Sequence, residues 1–183
     1  MVPIKYISSF IDNPTEAFEI LSNELAWVRI GNTPRNEYYC NDFGVPYTYG
    51  TEEFARSYEP QPYHPVITAI REAIETETNT KFEVCFLNLY QNQKDQLNWH
   101  ADDSPEMDDT RPIAIVSLGV EREIWFKKIG ASNNPEDVTK VKLENGSLCL
   151  MLPGMQDTHL HRIPKASFIC GGRISLTFRG YVR

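Results

Sequence analysis

His100 and Asp102 stand two residues apart in the run Trp99-His100-Ala101-Asp102. On an extended backbone residues i and i+2 point to the same face, so one imidazole and one carboxylate can converge on a single cation. Of the four histidines, at 64, 100, 159 and 161, two fall together in Thr158-His159-Leu160-His161-Arg162-Ile163-Pro164. That segment can supply a third ligand from a neighbouring strand, from either His159 or His161. Two imidazoles and one carboxylate on one face of an octahedron leave the other positions open, the ligand set of non-haem Fe(II) oxygenases. Neutral imidazoles and one anion leave the ion positively charged, which suits an incoming anion. His64 falls on a helical pattern and reads as a cap or surface residue rather than a ligand.

Near the end of the chain, Arg173-Ile174-Ser175-Leu176-Thr177-Phe178-Arg179 alternates polar and apolar. This period predicts a strand with Arg173, Ser175, Thr177 and Arg179 on one face and Ile174, Leu176 and Phe178 on the other. A half-buried strand ordinarily turns its polar face to water. Two arginines whose Cα atoms lie roughly 20 Å apart along a strand also suit a dicarboxylate. One guanidinium can pair bidentately with the remote carboxylate while the other sits nearer the metal-bound end.

These segments need a scaffold that brings them together. Helices are expected over 14–25, where Pro14 and acidic residues occupy the first turn, and over 63–76, where Val66, Ile67, Ile70 and Ile74 form an apolar stripe. From Phe82 onward the period shifts toward two. Strands are expected over 83–90, 112–118, 122–127, 139–143, 147–152 and 173–181, separated by Gly, Asn, Asp and Pro. Strands with no helices between them argue for antiparallel sheets, in a β-sandwich or jelly roll with helices on one outer face.

The chain has 183 residues, 18 Lys plus Arg and 25 Asp plus Glu, hence a formal charge of −7. Its 41% apolar and 23% charged residues fit one soluble globular domain, neither disordered nor membrane-spanning. Cys40, Cys85, Cys149 and Cys170 are far apart and form no CxxC pair, so they read as reduced, mostly buried thiols. The first residues lack a signal-peptide h-region and no apolar run approaches a membrane span. The expectation is an intracellular, soluble protein of the cytoplasm or nucleus, monomeric and without a membrane partner. The negative balance argues against broad neutralisation of phosphates, so any nucleic-acid role must rest on a pocket and a local basic strip.

Taken in order, Asn88-Leu89-Tyr90, His100-Ala101-Asp102-Asp103, His161-Arg162-Ile163-Pro164 and Arg173 to Arg179 resemble the AlkB family of Fe(II) and 2-oxoglutarate-dependent dioxygenases. Pro34-Arg35 with Gly44-Val45-Pro46-Tyr47-Thr48-Tyr49 looks like the nucleotide-recognition lid of the family's eukaryotic DNA-repair members. The resemblance implies an α+β fold, mainly β: a double-stranded β-helix (jelly roll) with N-terminal helices packed on one outer face. It implies one domain over 1–183, with about 14–60 an N-terminal extension and lid and about 80–183 the catalytic core. It assigns Fe(II) to His100, Asp102 and His161, with His159 as the competitor. Arg173, helped by Tyr90, would hold the remote carboxylate of 2-oxoglutarate, and Asn88 and Arg179 the end nearer the metal. Ser175 and Thr177 complete that face, although Ser175 stands where the repair enzymes usually carry Asn.

The same resemblance implies oxidative demethylation of 1-methyladenine and 3-methylcytosine, with O2 as cosubstrate and succinate, CO2 and formaldehyde as products. Asp103 would contact the damaged base, because these methylated bases are cationic and a carboxylate favours them over neutral ones. Tyr47 and Tyr49 share a face and can stack on a flipped base or meet its backbone. Arg29, Arg35, Lys127, Lys128 and Arg162 are candidate phosphate contacts. Six residues, Val28 to Thr33, separate Trp27 from Pro34, where duplex-acting relatives carry a longer loop with an intercalating finger. With Ile30 as the one small wedge, single-stranded alkylated nucleic acid is the expected substrate. The alternatives are a 2-oxoglutarate-dependent hydroxylase of a protein side chain, small metabolite or modified base, and a silent jelly-roll binding module.

Overall fold

The computed structural model describes residues 1–49 and 55–182. Its elements run β1 (Ile4–Ile7), α1 (Pro14–Glu24), β2 (Asn36–Asn41), β3 (Tyr47–Tyr49), β4 (Arg56–Tyr58), α2 (Pro65–Thr78), β5 (Val84–Tyr90) and β6 (Leu97–His100). They continue with β7 (Ile113–Gly119), β8 (Arg122–Lys128), β9 (Thr139–Leu143), β10 (Leu148–Met151), β11 (His159–Ile163) and β12 (Arg173–Arg179). Both expected helices form within two residues of their predicted ends. His64 caps α2: its Nδ1 accepts the Val66 N–H at 3.1 Å, and the helix stops at Asn79 in a left-handed conformation.

The strands form a six-stranded sheet ordered β1-β10-β7-β12-β5-β2, a four-stranded sheet ordered β6-β11-β8-β9, and the hairpin β3-β4. Every pairing is antiparallel. The apolar stripes of α1 and α2 pack with Leu87, Val116, Ile174, Leu176 and Phe178 on one face of the six-stranded sheet. Ile113, Ile115 and Cys149 on its other face meet Ile124, Phe126 and Ile163 of the four-stranded sheet in a second core. This is the jelly roll with helices on one outer face that the sequence pattern implied. The free Cys40, Cys85 and Cys149 are buried, and burial pushes the Cys40 and Cys149 thiols up to about 12.

One consequence of the two layers is that β12 has no solvent face. Ile174, Leu176 and Phe178 point to the helices, and Arg173, Ser175, Thr177 and Arg179 point into the space between the sheets, with all seven residues buried. The same double coverage conceals β2 from a period-two reading: five of its six residues are buried, and it pairs along its length with β5. β2 thus contributes an edge to the six-stranded sheet from within the stretch read as an N-terminal extension.

The turn from β7 to β8 depends on Gly119, whose φ is +90. A Cβ there would lie 2.5 Å from the Gly172 carbonyl oxygen and 2.8 Å from the Phe18 ring. Left-handed strain and overlap with α1 therefore add at one position. Gly119→Ala should lower unfolding free energy by about 2 kcal/mol or more, read as a urea midpoint shift. An unchanged midpoint would show that α1 and the 171–172 backbone are not packed as described.

Candidate metal centre and anion pocket

The four-stranded sheet builds the candidate metal centre by register. His161 of β11 lies directly opposite His100 at the end of β6, and the pairing shifts register between His161 and Ile163, an irregularity of the kind found beside active sites. The two rings lie 4.1 Å apart between centroids. Asp102 follows His100 by one intervening residue and brings its carboxylate 3.9 Å from His100 Nε2 and 3.7 Å from His161 Nε2. Ligand atoms of the three all fall within 4.8 Å of one another.

The donor set fits a divalent cation. His100 Nδ1 sits 2.8 Å from the Asn98 carbonyl oxygen, an acceptor, which places the proton on Nδ1 and the lone pair on Nε2, facing the centre. Burial pushes His100 down, and it pushes His161, with His100 beside it, down to about 3, so both imidazoles are neutral near pH 7. Burial opposes the charge on Asp102, but Arg179 and the two imidazoles outweigh it and hold the carboxyl below its usual range. Arg179 Nη2 donates to Asp102 Oδ1 at 2.8 Å, and the Asp102 N–H donates to Gln156 Oε1 at 2.8 Å. His159 also turns inward, 8% exposed, but lies one strand repeat away and accepts or donates at Thr158 Oγ1 instead. Position along β11 therefore separates the two candidates.

Arg173 lies at the other end of β12 and is fully buried. Its Nη2 donates to Ser117 Oγ at 2.9 Å, whereas its Nε and Nη1 are buried with no partner among the described residues. Burial pushes the guanidinium down to about 10, still cationic at pH 7. Unpaired donors on a buried cation fit an anion such as a carboxylate. Tyr90, paired with Arg173 in register, has the Arg173 and Arg122 Cζ atoms 5.3 and 5.6 Å from its ring centroid. Asn88 and Ser175 face one another across β5 and β12, both buried, and Thr177 completes the row.

The substrate-side candidates divide. Asp103 is exposed and lines, with Asp102, Met107, Arg111, Met151 and Gln156, a cleft of about 220 Å³. Tyr47 is buried; its ring stacks on Tyr58 at 6.3 Å and meets Tyr39 at 5.6 Å, lining a neighbouring cleft with Phe43 and Tyr181. Tyr49 closes β3 opposite Arg56. Arg35 turns inward rather than toward solvent: its side chain is 12% exposed and bonds Asn88, Gln96 and Glu37. Arg29 is likewise engaged by Asp95, at 2.7 Å. Arg162 lies against the Trp99 and Trp125 rings, and Lys127 donates to Ala131 and Asn133, while Lys128 is exposed. Ile30 packs on the aromatic cluster of Tyr39, Tyr47 and Tyr58, so its side chain serves the fold's own interior.

Sequence reasoning passed over Ser117, Arg122, Gln156 and Glu37. Ser117 and Arg122 carried a signal, since each occupies an inward position of an otherwise apolar strand face. Arg122 is 3% exposed and donates to the carbonyls of Asn92, Asp95 and Pro164. Gln156 sits in a turn, where nothing in the pattern marks it.

A bound divalent ion should stabilise the native state, by roughly 2.7 kcal/mol at a hundredfold excess over Kd. Co(II) should raise the melting temperature of the wild type and of His159→Ala, but not of His161→Ala or Asp102→Ala. Retention of the shift in His161→Ala with its loss in His159→Ala would reverse the assignment along β11.

Residues 19–179 match the 2OG-Fe(II) oxygenase superfamily. The chain is 35% identical over 141 residues to the alpha-ketoglutarate-dependent dioxygenase alkB homolog 3 of Bos taurus, covering 74% of this chain and 48% of that protein. The human protein of that name is 34% identical with the same coverage. The human DNA oxidative demethylase ALKBH2 is 31% identical over 153 residues, covering 81% of this chain and 57% of that protein. The chain thus spans about half the length of these relatives. A solved structure of OsALKBH1 superposes with a TM-score of 0.67 at 17% identity, over 98% of this chain and 99% of that one, which speaks to the fold. A superfamily match over most of the chain, on a jelly roll that gathers the His-Asp-His set, identifies this protein: it belongs to the 2OG-Fe(II) oxygenase superfamily and is AlkB-like within it.

Proposed function

We propose that this protein is an Fe(II)/2-oxoglutarate-dependent dioxygenase that removes N-methyl groups from alkylated bases in nucleic acid, single-stranded by preference. The observation that carries the reading is the convergence of His100, Asp102 and His161 on one point of a fold whose buried Arg173 keeps two donors unpaired. His100, Asp102 and His161 would hold the iron, and Arg173, with Tyr90, the remote carboxylate of 2-oxoglutarate. Asn88, Ser175, Thr177 and Arg179 would line the path between. Bound Fe(II) with 2-oxoglutarate and O2 supplies hydroxylation of a methyl group, with succinate and CO2 as coproducts. A hydroxylated N-methyl group then leaves as formaldehyde and restores the base.

The residues of the chain do the rest by placement. Arg179 holds Asp102 ionised and oriented through its 2.8 Å bond, so the carboxylate would offer a bound ion an oriented oxygen. The inward face of β12 is shut off from water by both sheets, so Arg173 meets an anion in a medium where charge pairing is strong. Asp103, exposed beside Asp102, favours a base bearing positive charge and disfavours the neutral unmethylated one. Tyr47 and Tyr49, both on β3 of the hairpin, would meet a base taken out of its stack. The names of the relatives, dioxygenase and DNA oxidative demethylase, support the same reading. It takes residues 1–183 as one domain.

Formaldehyde release from oligonucleotides bearing 1-methyladenine or 3-methylcytosine tests the reading directly. Release should require 2-oxoglutarate, with kcat/KM about tenfold or more higher for single strands, where no duplex must be opened. Succinate formed without formaldehyde would move the substrate to another class. Each charge-assisted hydrogen bond contributes roughly 1.5–3 kcal/mol, so Arg173→Met should raise KM for 2-oxoglutarate about 100-fold. A KM unchanged in Arg173→Met would place the cosubstrate elsewhere.

A further inference from the structure

One row of polar side chains crosses the inner face of the six-stranded sheet: Glu37 on β2 opposite Asn88 on β5, then Ser175 on β12 and Ser117 on β7. The last three belong to the anion pocket, whereas Glu37 has no role in the reading above. It is a carboxylate only 2% exposed, which water cannot solvate and which must be held by specific donors. Those donors come from two directions. The Tyr58 hydroxyl of β4 reaches both carboxylate oxygens, at 3.2 and 3.1 Å, and Arg35 Nη2 reaches one at 3.3 Å. Burial and the adjacent Glu37 push the Tyr58 phenol up to about 12, so it keeps its proton and donates.

Each donor has a second engagement. Tyr58 stacks on Tyr47 within the β3-β4 hairpin and meets Phe86 edge-on at 5.0 Å, which seats the hairpin on the six-stranded sheet. Arg35 turns its Nε to Asn88 Oδ1 at 3.0 Å and its Nη1 to the Gln96 carbonyl at 3.4 Å. A continuous chain of hydrogen bonds thus runs from the hairpin to the cosubstrate pocket through one buried carboxylate. We propose that Glu37 is a positioning residue that couples the seating of the β3-β4 hairpin to the orientation of Asn88, through Tyr58 on one side and Arg35 on the other. The inference rests on Asn88 lining the 2-oxoglutarate site. Without the Glu37 charge, Arg35 loses its counter-ion, its fork is free to turn, and the Asn88 amide is no longer held. By linkage the coupling runs both ways: a filled cosubstrate pocket tightens the hairpin as much as a seated hairpin tightens the pocket.

The test uses the full chain loaded with Mn(II) without oxygen, so that binding is read apart from turnover. 2-Oxoglutarate is titrated calorimetrically, and hydrogen exchange is followed in peptides covering 47–49 and 56–58. In the wild type, 2-oxoglutarate should slow exchange in both peptides. Glu37→Gln and Tyr58→Phe should each weaken 2-oxoglutarate about fivefold or more and abolish that slowing. Tyr58→Phe removes one oxygen and touches neither Arg35 nor Asn88, so it carries the test even if Glu37→Gln does not fold. Affinity within about twofold of wild type in Tyr58→Phe, with the slowing retained, overturns the coupling. So does faster exchange in the hairpin with unchanged affinity, which would make Glu37 a fastener of the hairpin alone. A wild type that binds no 2-oxoglutarate overturns the site assignment itself and the coupling with it, a result distinct from the other two.

Discussion

A cation held in the interior without a full set of acceptors is the constraint around which this protein is arranged. Desolvating a guanidinium costs several kcal/mol unless its donors find partners. Arg173 has found one in Ser117, leaving two donors without one among the described residues. Such a group is tolerated because the surrounding fold over-determines its position. β12 lies between β7 and β5 in the six-stranded sheet, Tyr90 covers one side of the guanidinium, and Arg122 pins the loops around it by donating to three carbonyls. A rigid buried cation is pre-organised for an anion, since little further ordering is needed when the ligand arrives.

The two sheets divide the chemistry between them. The four-stranded sheet places two imidazoles side by side through the pairing of β6 with β11, and the six-stranded sheet supplies the cations through the inward face of β12. Arg179 bridges the layers, since it belongs to β12 yet bonds Asp102, which follows β6. That ion pair is buried, and breaking it by removing one partner would leave an uncompensated charge, so the carboxylate proposed to hold the metal and the strand proposed to hold the cosubstrate are tied together energetically. The centre is therefore a property of the interface between layers rather than of either sheet.

The charge of −7 acquires a local meaning in this arrangement. Of the basic residues that looked available for phosphates, Arg29 and Arg35 are engaged by internal carboxylates and Arg162 by tryptophan rings, which leaves broad phosphate neutralisation little to draw on. Near the centre, the acidic groups are placed: Asp102 between the imidazoles, Asp103 exposed in the adjoining cleft, Glu37 between the hairpin and the pocket. Under the proposed function, such a site would discriminate by the charge and shape of what enters it rather than by general affinity for a polyanion.

The residues proposed for the centre stand out in the sequence because the chemistry proposed for them imposes spacing. His100 and Asp102 must be i and i+2 to share a face, and a strand that turns charges inward must alternate, so β12 shows its period over its whole length. The helices were equally plain, since a 3.6 period and a first-turn proline are local properties. What only the folded chain decided was everything that depends on which strands become neighbours. That His161 rather than His159 meets His100 and Asp102 follows from the residue that stands opposite His100, and the inward burial of Arg35 follows from β2 pairing with β5. Ser117, Gln156 and Glu37 acquire roles through partners 56, 54 and 21 positions away in the sequence. A local period states which face a side chain takes; long-range register states what that face meets, and no window of sequence shorter than the sheet contains that information.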